Sequence, residues 1–532
     1  MRYAICIVGI FLGSAWWSYA EPHEQIDADV LLQGGTLHLG DGEPERIGDV
    51  AIVGDRIVAV GEFKTGTVRL RIDCQGKVVC PGFIDLHNHS DRQVLQNETR
   101  AVVNFVTQGC TTIVTGNCGS GPVDAGKYYE EIDKLGVGVN VAHLLPQGNL
   151  RREVIGDDQR DAFDDELARM KELADKAMRD GAWGMSTGLI YVPSSYADAD
   201  ELVEIAKVVS KGGGIYVSHI RNENVELLSA VEEAIEIGRR ADLPVHISHY
   251  KSSGKDSWGL VRVATEIIKK HQATGRRITA DQYPYTASST SLEATIVPTW
   301  ARSGGRAMML ARLEDEQQWQ RIKSAMVTKL RELDGGARLQ IASYQQQPTW
   351  TGKRVAEIAQ MQEVDPLDLI LEMIRSGGAS IVNHSINEED VRFVMAHSWV
   401  ATASDGRAHL PDSTVPHPRN YGTFPRKIGL YAIREKVLPL AQAIHTATGL
   451  PAEILGIKDR GYLRPDFKAD IVVLDSDHIL DAATFEDPHS YSQGIEYVFI
   501  NGQPALSKGK ATGALVGRAL RHESAANNFE KE

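Results

Sequence analysis

The chain has 532 residues, too many for one small core, and its 42% hydrophobic and 24% charged residues are the balance of an ordinary globular protein. A formal net charge of −14, with no basic block to offset it, argues against nucleic acid or an acidic membrane surface as a partner. A large central domain with a smaller companion is the expected layout.

The opening MRYAICIVGIFLGSAWWSYA places Arg2 before an apolar run and ends with small residues at Ser18 and Ala20. This reads as a signal peptide over 1–20, with the mature chain starting near Glu21. An uncleaved anchor is the competing reading, but the apolar run is short of the roughly 20 residues a span needs. No stop-transfer stretch follows, and no cysteine sits just past the cut to carry a lipid. The expectation is export without a remaining anchor: periplasmic where the source has an outer membrane, secreted otherwise. Cleavage leaves Cys74, Cys80, Cys110 and Cys118, which an oxidising compartment could pair.

From 29 to 79 the text alternates in short runs, VLLQGGTLHL, DVAIVGDRIVAVG and VRLRIDCQGKVV, broken by Gly-Gly, Asp-Gly and Gly-Asp turn signals. The pattern returns in ADIVVLD and in IEYVFINGQPA, with its Asn-Gly turn. Residues 21–82 and 457–520 are therefore expected to join in a small β-sandwich, with 521–532 a tail. Between them, over 83–456, apolar strands alternate with helices. TTIVTGN, GIYVSHI, LPVHISHY, RITADQYPY, ASIVNHS and WVATASDG read as strands. DDELARMKELADKAMRD, ADELVEIAKVVSKG and VELLSAVEEAIEIGRRAD show three-to-four apolar spacing. Such alternation favours α/β architecture with parallel strands, and its length favours a closed (β/α)8 TIM-like barrel. An open doubly wound sheet is the alternative, weakened by the lack of a glycine-rich dinucleotide fingerprint after any strand. The stretch from about 290 to 342 reads as an insertion over the functional face.

Several metal-ligating residue types fall at the C-terminal ends of these strands: His87 and His89 in PGFIDLHNHS, Cys118 in TTIVTGNCGS, His219 in GIYVSHI, His249 in PVHISHY and Asp405 in VATASDG. His87 and His89, two apart, share one face of an extended strand. A lone strand histidine is more often a buried, hydrogen-bonded side chain, but six such residues at equivalent places in successive units point to a shared site at the barrel mouth. Imidazole, thiolate and carboxylate are the donors zinc prefers. His246, at the opposite strand parity to His249, is expected to point away from the barrel axis.

These residues resemble the amidohydrolase superfamily, and more closely its N-acyl-D-amino-acid deacylases, the D-aminoacylases. PGFIDLHNHSD, GCTTIVTGNCG, STGLIYVPSSYA, YVSHIRNE, ISHYKSSG, YPYTASST, ASDG and HPRNYGTFPR carry the resemblance, in family order and over nearly all of the mature chain. It implies zinc, held tightly by Cys118, His219 and His249, with a second, weaker position formed by His87, His89 and Asp405. No lysine lies within TTIVTGNCGS, so Cys118 takes the place of the carboxylated lysine that bridges two metals in many superfamily members. That departure argues against dihydroorotase and hydantoinase activity.

The implied reaction is hydrolysis of the amide of a small molecule, an N-acyl-D-amino acid, to a carboxylate and a free D-amino acid. Asp405 is the expected general base and then acid. Arg419 in HPRNYGTFPR suits the substrate α-carboxylate. By resemblance Tyr191, Lys251, Tyr283 and Ser289 also line the substrate site, although strand parity does not separate Tyr283 from Tyr285. Dipeptidase-like or cyclic-amide hydrolysis on the same fold, and an inactive barrel used as a binding scaffold, are the competing readings.

A thiolate that binds metal cannot also be in a disulfide. Cys110 lies eight residues before Cys118 along a strand, beyond the roughly 7 Å a bridge allows. Cys118 is therefore expected to be unpaired, whereas Cys74 and Cys80 could pair across their Gln-Gly turn.

Overall fold

The computed structural model describes residues 25–523. The signal-peptide reading of 1–20 lies outside them, as do residues 524–532. Among the described residues, no helix is long and apolar enough to cross a membrane.

The N- and C-terminal parts of the described residues meet in one nine-stranded sheet. Its centre is the long strand Gln25–Leu37, which pairs with Arg46–Val53, Lys64–Asp73 and Val78–Pro81. Val78–Pro81 then runs antiparallel to Ile471–Leu474, matching Val79 with Val473 and Cys80 with Val472, and so joins the C-terminal strands to the N-terminal ones. Val30, Leu32, Ile52, Ile72, Ile471 and Phe499 fill the core that makes the two ends a β-sandwich. Alternation along Val78–Pro81 explains why Cys74 and Cys80, which could have paired across their Gln-Gly turn, do not. Cys74 and Val79 face the sandwich core, Cys80 faces the barrel core, and all four described cysteines are free and buried.

The barrel has eight parallel strands: β1 (Phe83–Asp85), β2 (Cys110–Thr115), β3 (Asn140–His143), β4 (Gly184–Gly188), β5 (Ile215–His219), β6 (Val245–Ile247), β7 (Ile278–Gln282) and β8 (Val400–Thr402). The short extension Leu145–Pro146 carries β3 onto β4. The barrel closes between its last and first strands, where Asp405 N–H donates to His87 O (2.8 Å) and His89 N–H to Gly406 O (2.7 Å). Asp85 staples the same seam, accepting from Ser404 N–H (2.8 Å), Ser404 Oγ (2.5 Å) and Asn88 Nδ2 (2.8 Å).

The outer helices have the expected amphipathic build. Ala199–Lys211 starts at Asp198, whose carboxylate accepts from Glu201 N–H (2.8 Å), and buries Leu202, Ile205, Ala206 and Val209.

Two sequence expectations change here. ASIVNHS is not a barrel strand: Ser380–Asn383 is the middle strand of a three-stranded antiparallel sheet with Ser288–Ser291 and Leu339–Ser343. That sheet and its helices form a lobe inserted between β7 and β8, with its own core of Leu292, Ile322, Met326, Ile341, Ile370 and Ile381. The inserted lobe is thus larger than 290–342. ASIVNHS misleads because a run this short, with only Ile381 and Val382 buried between half-buried Ser380 and Asn383, carries no sign of which sheet it joins.

Lys427, on the helical segment Arg426–Arg434, is buried with Thr446 Oγ1 as its hydrogen-bond partner (3.0 Å). Burial lowers its ammonium pKa from 10.5 to about 7. Between those values the unfolded chain binds the proton and the folded chain does not, so stability rises with pH across that window. Lys427→Met is expected to raise the thermal midpoint at pH 7 and to raise it less at pH 9, as read by calorimetry.

Candidate metal centre

Each site residue reaches the barrel mouth for a local reason. His219 ends β5 in register with Ile215 and Val217, which pack inside the barrel, so its ring faces inward. Cys118 lies past β2 on the turn Gly116-Asn117-Cys118-Gly119, with Cys118 itself in a left-handed conformation (φ 52°). Gly116 (φ 78°) passes so close to Leu144 O that a Cβ there would sit 2.1 Å from it. The backbones of His249 (φ 35°) and Asp405 (φ 51°) are also left-handed. Three of the six proposed metal and acid residues therefore hold a backbone state that side chains usually avoid, a feature concentrated at functional sites.

His249 corrects the parity argument. β6 stops at Ile247, and the unusual backbone at His249 breaks the alternation beyond it. It is Val245 and Ile247 that face the helices, while His246 pairs in register with Val217 and points into the barrel. There its Nε2 meets Asp281 Oδ2 (2.8 Å).

The side chains converge closely. Cys118 Sγ lies 3.3 Å from His87 Nε2, 3.6 Å from His219 Nδ1 and 3.7 Å from His249 Nε2. Asp405 Oδ1 lies 3.0 Å from His89 Nε2 and 3.5 Å from His87 Nε2. Three overlapping groups, Cys118/His219/His249, His87/His89/Cys118 and His87/His249/Asp405, each place their donor atoms within 4.8 Å of one another. Bonds of about 2.3 Å to sulfur and about 2.1 Å to nitrogen, at tetrahedral angles, put S and N ligand atoms roughly 3.6 Å apart. The separations of Cys118 from His219 and His249 match that spacing. The donor set thus fits a metal ion.

The electrostatics agree. Burial alone would raise the Cys118 thiol, but His87, His219 and His249 outweigh it and hold its pKa well below the ordinary value, so a thiolate is favoured. Burial and the neighbouring His249 keep His219 below its usual value, which favours the neutral, ligating imidazole. Burial also acts to raise Asp405, yet Arg419, His87 and His89 hold its carboxyl well below the usual range. His89, lowered by burial but raised more by Asp405 and Cys118, ends at about 9.

Around this cluster lies a cavity of 520 Å³, lined by His89, Cys118, His219, His249 and Asp405 and by all five expected substrate residues, Tyr191, Lys251, Tyr283, Ser289 and Arg419. His87 is fully buried beneath it. Arg419 Nη1 is 2.7 Å from Asp405 Oδ2, and its guanidinium stacks 4.7 Å from the Tyr283 ring centre. Tyr191 OH meets Thr290 Oγ1 (3.2 Å), and Ser289 Oγ donates to Ile381 O (2.9 Å), which ties the cavity wall to the inserted lobe. Tyr285 is separated from Tyr283 here, for it packs on Arg426, His417 and Phe485 outside the cavity lining. A second cavity of 1690 Å³ opens between the loops after β5 and β6 and the lobe helix Glu316–Glu332.

Two carboxylates escape a reading of the sequence alone. Asp281, at the end of β7, accepts from His249 N–H (2.7 Å) and faces His87 Nδ1 (3.5 Å) as well as His246. Its signal was present, an aspartate in the strand RITADQYPY, but it orients histidines rather than joining them. Glu223, in YVSHIRNE, contacts His249 Nδ1 (2.9 Å) and Lys251 Nζ (2.5 Å). It lies beyond the strand end, where no alternation fixes its direction.

A (β/α)8 barrel whose mouth gathers a thiolate, imidazoles and a carboxylate beside a cavity defines a metal-dependent hydrolase of the barrel type. The comparisons make the assignment specific: the amidohydrolase family model matches residues 71–506. The chain is 33% identical to the D-aminoacylase of Alcaligenes xylosoxydans xylosoxydans over 93% of this chain and 98% of that protein. It is 34% identical to an N-acyl-D-aspartate deacylase of the same organism, over 92% of this chain and 93% of the relative. A solved N-acyl-D-glutamate deacylase from Bordetella bronchiseptica, complexed with zinc and a phosphonate mimic of the tetrahedral intermediate, superposes with a TM-score of 0.81 at 30% identity, covering 93% of this chain and 100% of that one. The chain belongs to the amidohydrolase family, in its D-aminoacylase group, and is a metal-dependent hydrolase of amides.

Proposed function

We propose that this protein is a zinc-dependent N-acyl-D-amino-acid deacylase, splitting the amide of a small substrate into a carboxylate and a free D-amino acid. The observation that carries the reading is the convergence of Cys118, His219 and His249 beside a cavity whose lining includes the cations Arg419 and Lys251. Cys118, His219 and His249 would hold the tighter ion, and His87, His89 and Asp405 with Cys118 offer a weaker second position. Bound there, zinc supplies Lewis-acid polarisation of the amide carbonyl and lowers the pKa of water from near 16 to about 7.

The remaining steps belong to the chain. Asp405, its Oδ1 facing the imidazoles, takes the proton of the attacking water and returns it to the departing amine nitrogen. Arg419, reaching both Asp405 and the cavity, receives the α-carboxylate bidentately, with Lys251 and the partnerless hydroxyl of Tyr283 beside it. A cavity lined by Arg152, Lys251, Arg407 and Arg419 favours a linear substrate bearing a free carboxylate over a neutral cyclic amide. Arg419→Met is accordingly expected to raise KM for an N-acetyl-D-amino acid about 10- to 100-fold, as charge-assisted hydrogen bonds of this kind warrant. The same change should scarcely alter KM for the corresponding amino-acid amide, which steady-state kinetics on the two substrates compares.

The reading is tested by offering zinc-loaded protein matched N-acetyl-D- and N-acetyl-L-amino acids and assaying the free amine. Release from the D series supports it; release from the L series alone, or from neither, overturns it.

A further inference from the structure

Glu223 has no part in the reaction outlined above, yet its position is unusual. Its side chain is 13% exposed, and a single oxygen, Oε1, lies 2.5 Å from Lys251 Nζ and 2.9 Å from His249 Nδ1. The other nitrogen of that ring, Nε2, faces Cys118 Sγ. Lys251 is itself 5% exposed, and its ammonium also donates to His249 O (3.1 Å). One carboxylate oxygen therefore lies against both a cation of the substrate cavity and an imidazole of the metal cluster, and Lys251 Nζ is 3.0 Å from the same Nδ1, so the three groups form one triangle.

The opposite wall repeats the arrangement, since Asp405 joins Arg419 (2.7 Å) to His89 (3.0 Å). The two arms differ in chemistry. Asp405 faces the cluster's open side and is suited to move a proton. Glu223 stands behind His249, on the wall shared with the larger cavity, and its Oε1 accepts from Lys251 Nζ while lying 2.9 Å from His249 Nδ1.

Glu223 is not needed merely to hold its own loop. Arg221 does that, pairing with Glu233 (2.9 Å) and donating to Ser195 O (2.9 Å) and Ala197 O (3.0 Å), and Asn222 Oδ1 accepts from Asn224 N–H (2.7 Å). A carboxylate on Nδ1–H fixes a ligating histidine's tautomer and orientation, leaving Nε2 to the metal. Pairing with the same carboxylate restrains the long, rotatable lysine stem.

We propose that Glu223 is a positioning residue that locks Lys251 and His249 to one another, so that recognition of the substrate carboxylate and retention of the metal depend on the same side chain. The carboxylate half of this inference rests on the deacylase reading; the metal half does not.

The test uses the full chain loaded with zinc and the near-isosteric Glu223→Gln variant. Competition with a chelator is expected to give zinc binding roughly 10- to 100-fold weaker than in the unsubstituted protein. With zinc saturating, KM for an N-acetyl-D-amino acid is expected to rise about tenfold, a fold-change worth roughly one charge-assisted contact. Glu223→Gln combined with Lys251→Met should raise KM no further than Lys251→Met alone. Zinc affinity within twofold of the unsubstituted protein, or KM effects that multiply in the double variant, would overturn the proposal. If Glu223→Gln does not fold, Glu223→Asp, one methylene too short to serve both partners, is read by the same criteria. Should the unsubstituted protein hydrolyse no N-acyl-D-amino acid, the deacylase reading fails, and the chelator competition still decides the role of Glu223.

Discussion

Asp405→Asn is expected to lower kcat by about 10²- to 10⁴-fold, the usual range for removing a general acid–base group. Asparagine keeps the shape and the backbone that closes the barrel through His87 and Gly406, but it cannot take a proton. Its effect should therefore fall on kcat, with zinc content held by Cys118, His219 and His249. The charge removed is also the partner of Arg419, so KM is expected to move as well, by a smaller factor. Metal analysis beside steady-state kinetics checks both parts. Zinc-replete Asp405→Asn protein with full activity would remove Asp405 from the chemistry.

Cys118→Ala is expected to abolish activity and to leave the protein unable to retain zinc through dialysis. Cys118 belongs to two of the three overlapping donor groups, and its sulfur lies 3.3 to 3.7 Å from ring nitrogens of three different imidazoles. Losing it removes the only thiolate of the cluster and takes a ligand from both proposed positions. The same variant should stay folded, because the barrel and sandwich cores do not depend on the mouth. Unchanged circular dichroism together with lost metal is the expected pair of results. A Cys118→Ala protein that keeps both zinc and activity would mean that the imidazoles and Asp405 suffice.

How far the sequence could be read depended on how directly each residue met its target. His87, His89, Cys118, His219, His249 and Asp405 were legible because each is a metal-ligating type at the end of an apolar run, and barrel strands end on one face. Glu223 and Asp281 were not, because they act on other side chains, and nothing in a linear pattern marks a carboxylate that will meet an imidazole from a distant strand. His246 was assigned to the wrong side because two-residue alternation holds only while a strand lasts; β6 ends at Ile247 and the backbone turns at His249. ASIVNHS was placed in the wrong sheet for a related reason, since a short run around two buried apolar residues, Ile381 and Val382, reads the same in a barrel and in an inserted lobe. Both ends of the sandwich were visible from turn spacing, but that Cys74 and Cys80 face different cores follows from the register of Val78–Pro81, which the sequence does not print. The preference for a D-amino acid has no residue of its own. It depends on where the α-carboxylate anchor sits relative to the reacting amide, a property of the assembled barrel.

The central claim is that a thiolate and imidazoles drawn from distant strands hold one metal ion at the barrel mouth. Zinc-edge X-ray absorption on the purified, catalytically active protein tests it most directly. The account predicts one sulfur scatterer at about 2.3 Å alongside nitrogen or oxygen at about 2.0–2.1 Å. A zinc shell without sulfur in the active, unsubstituted protein would contradict it.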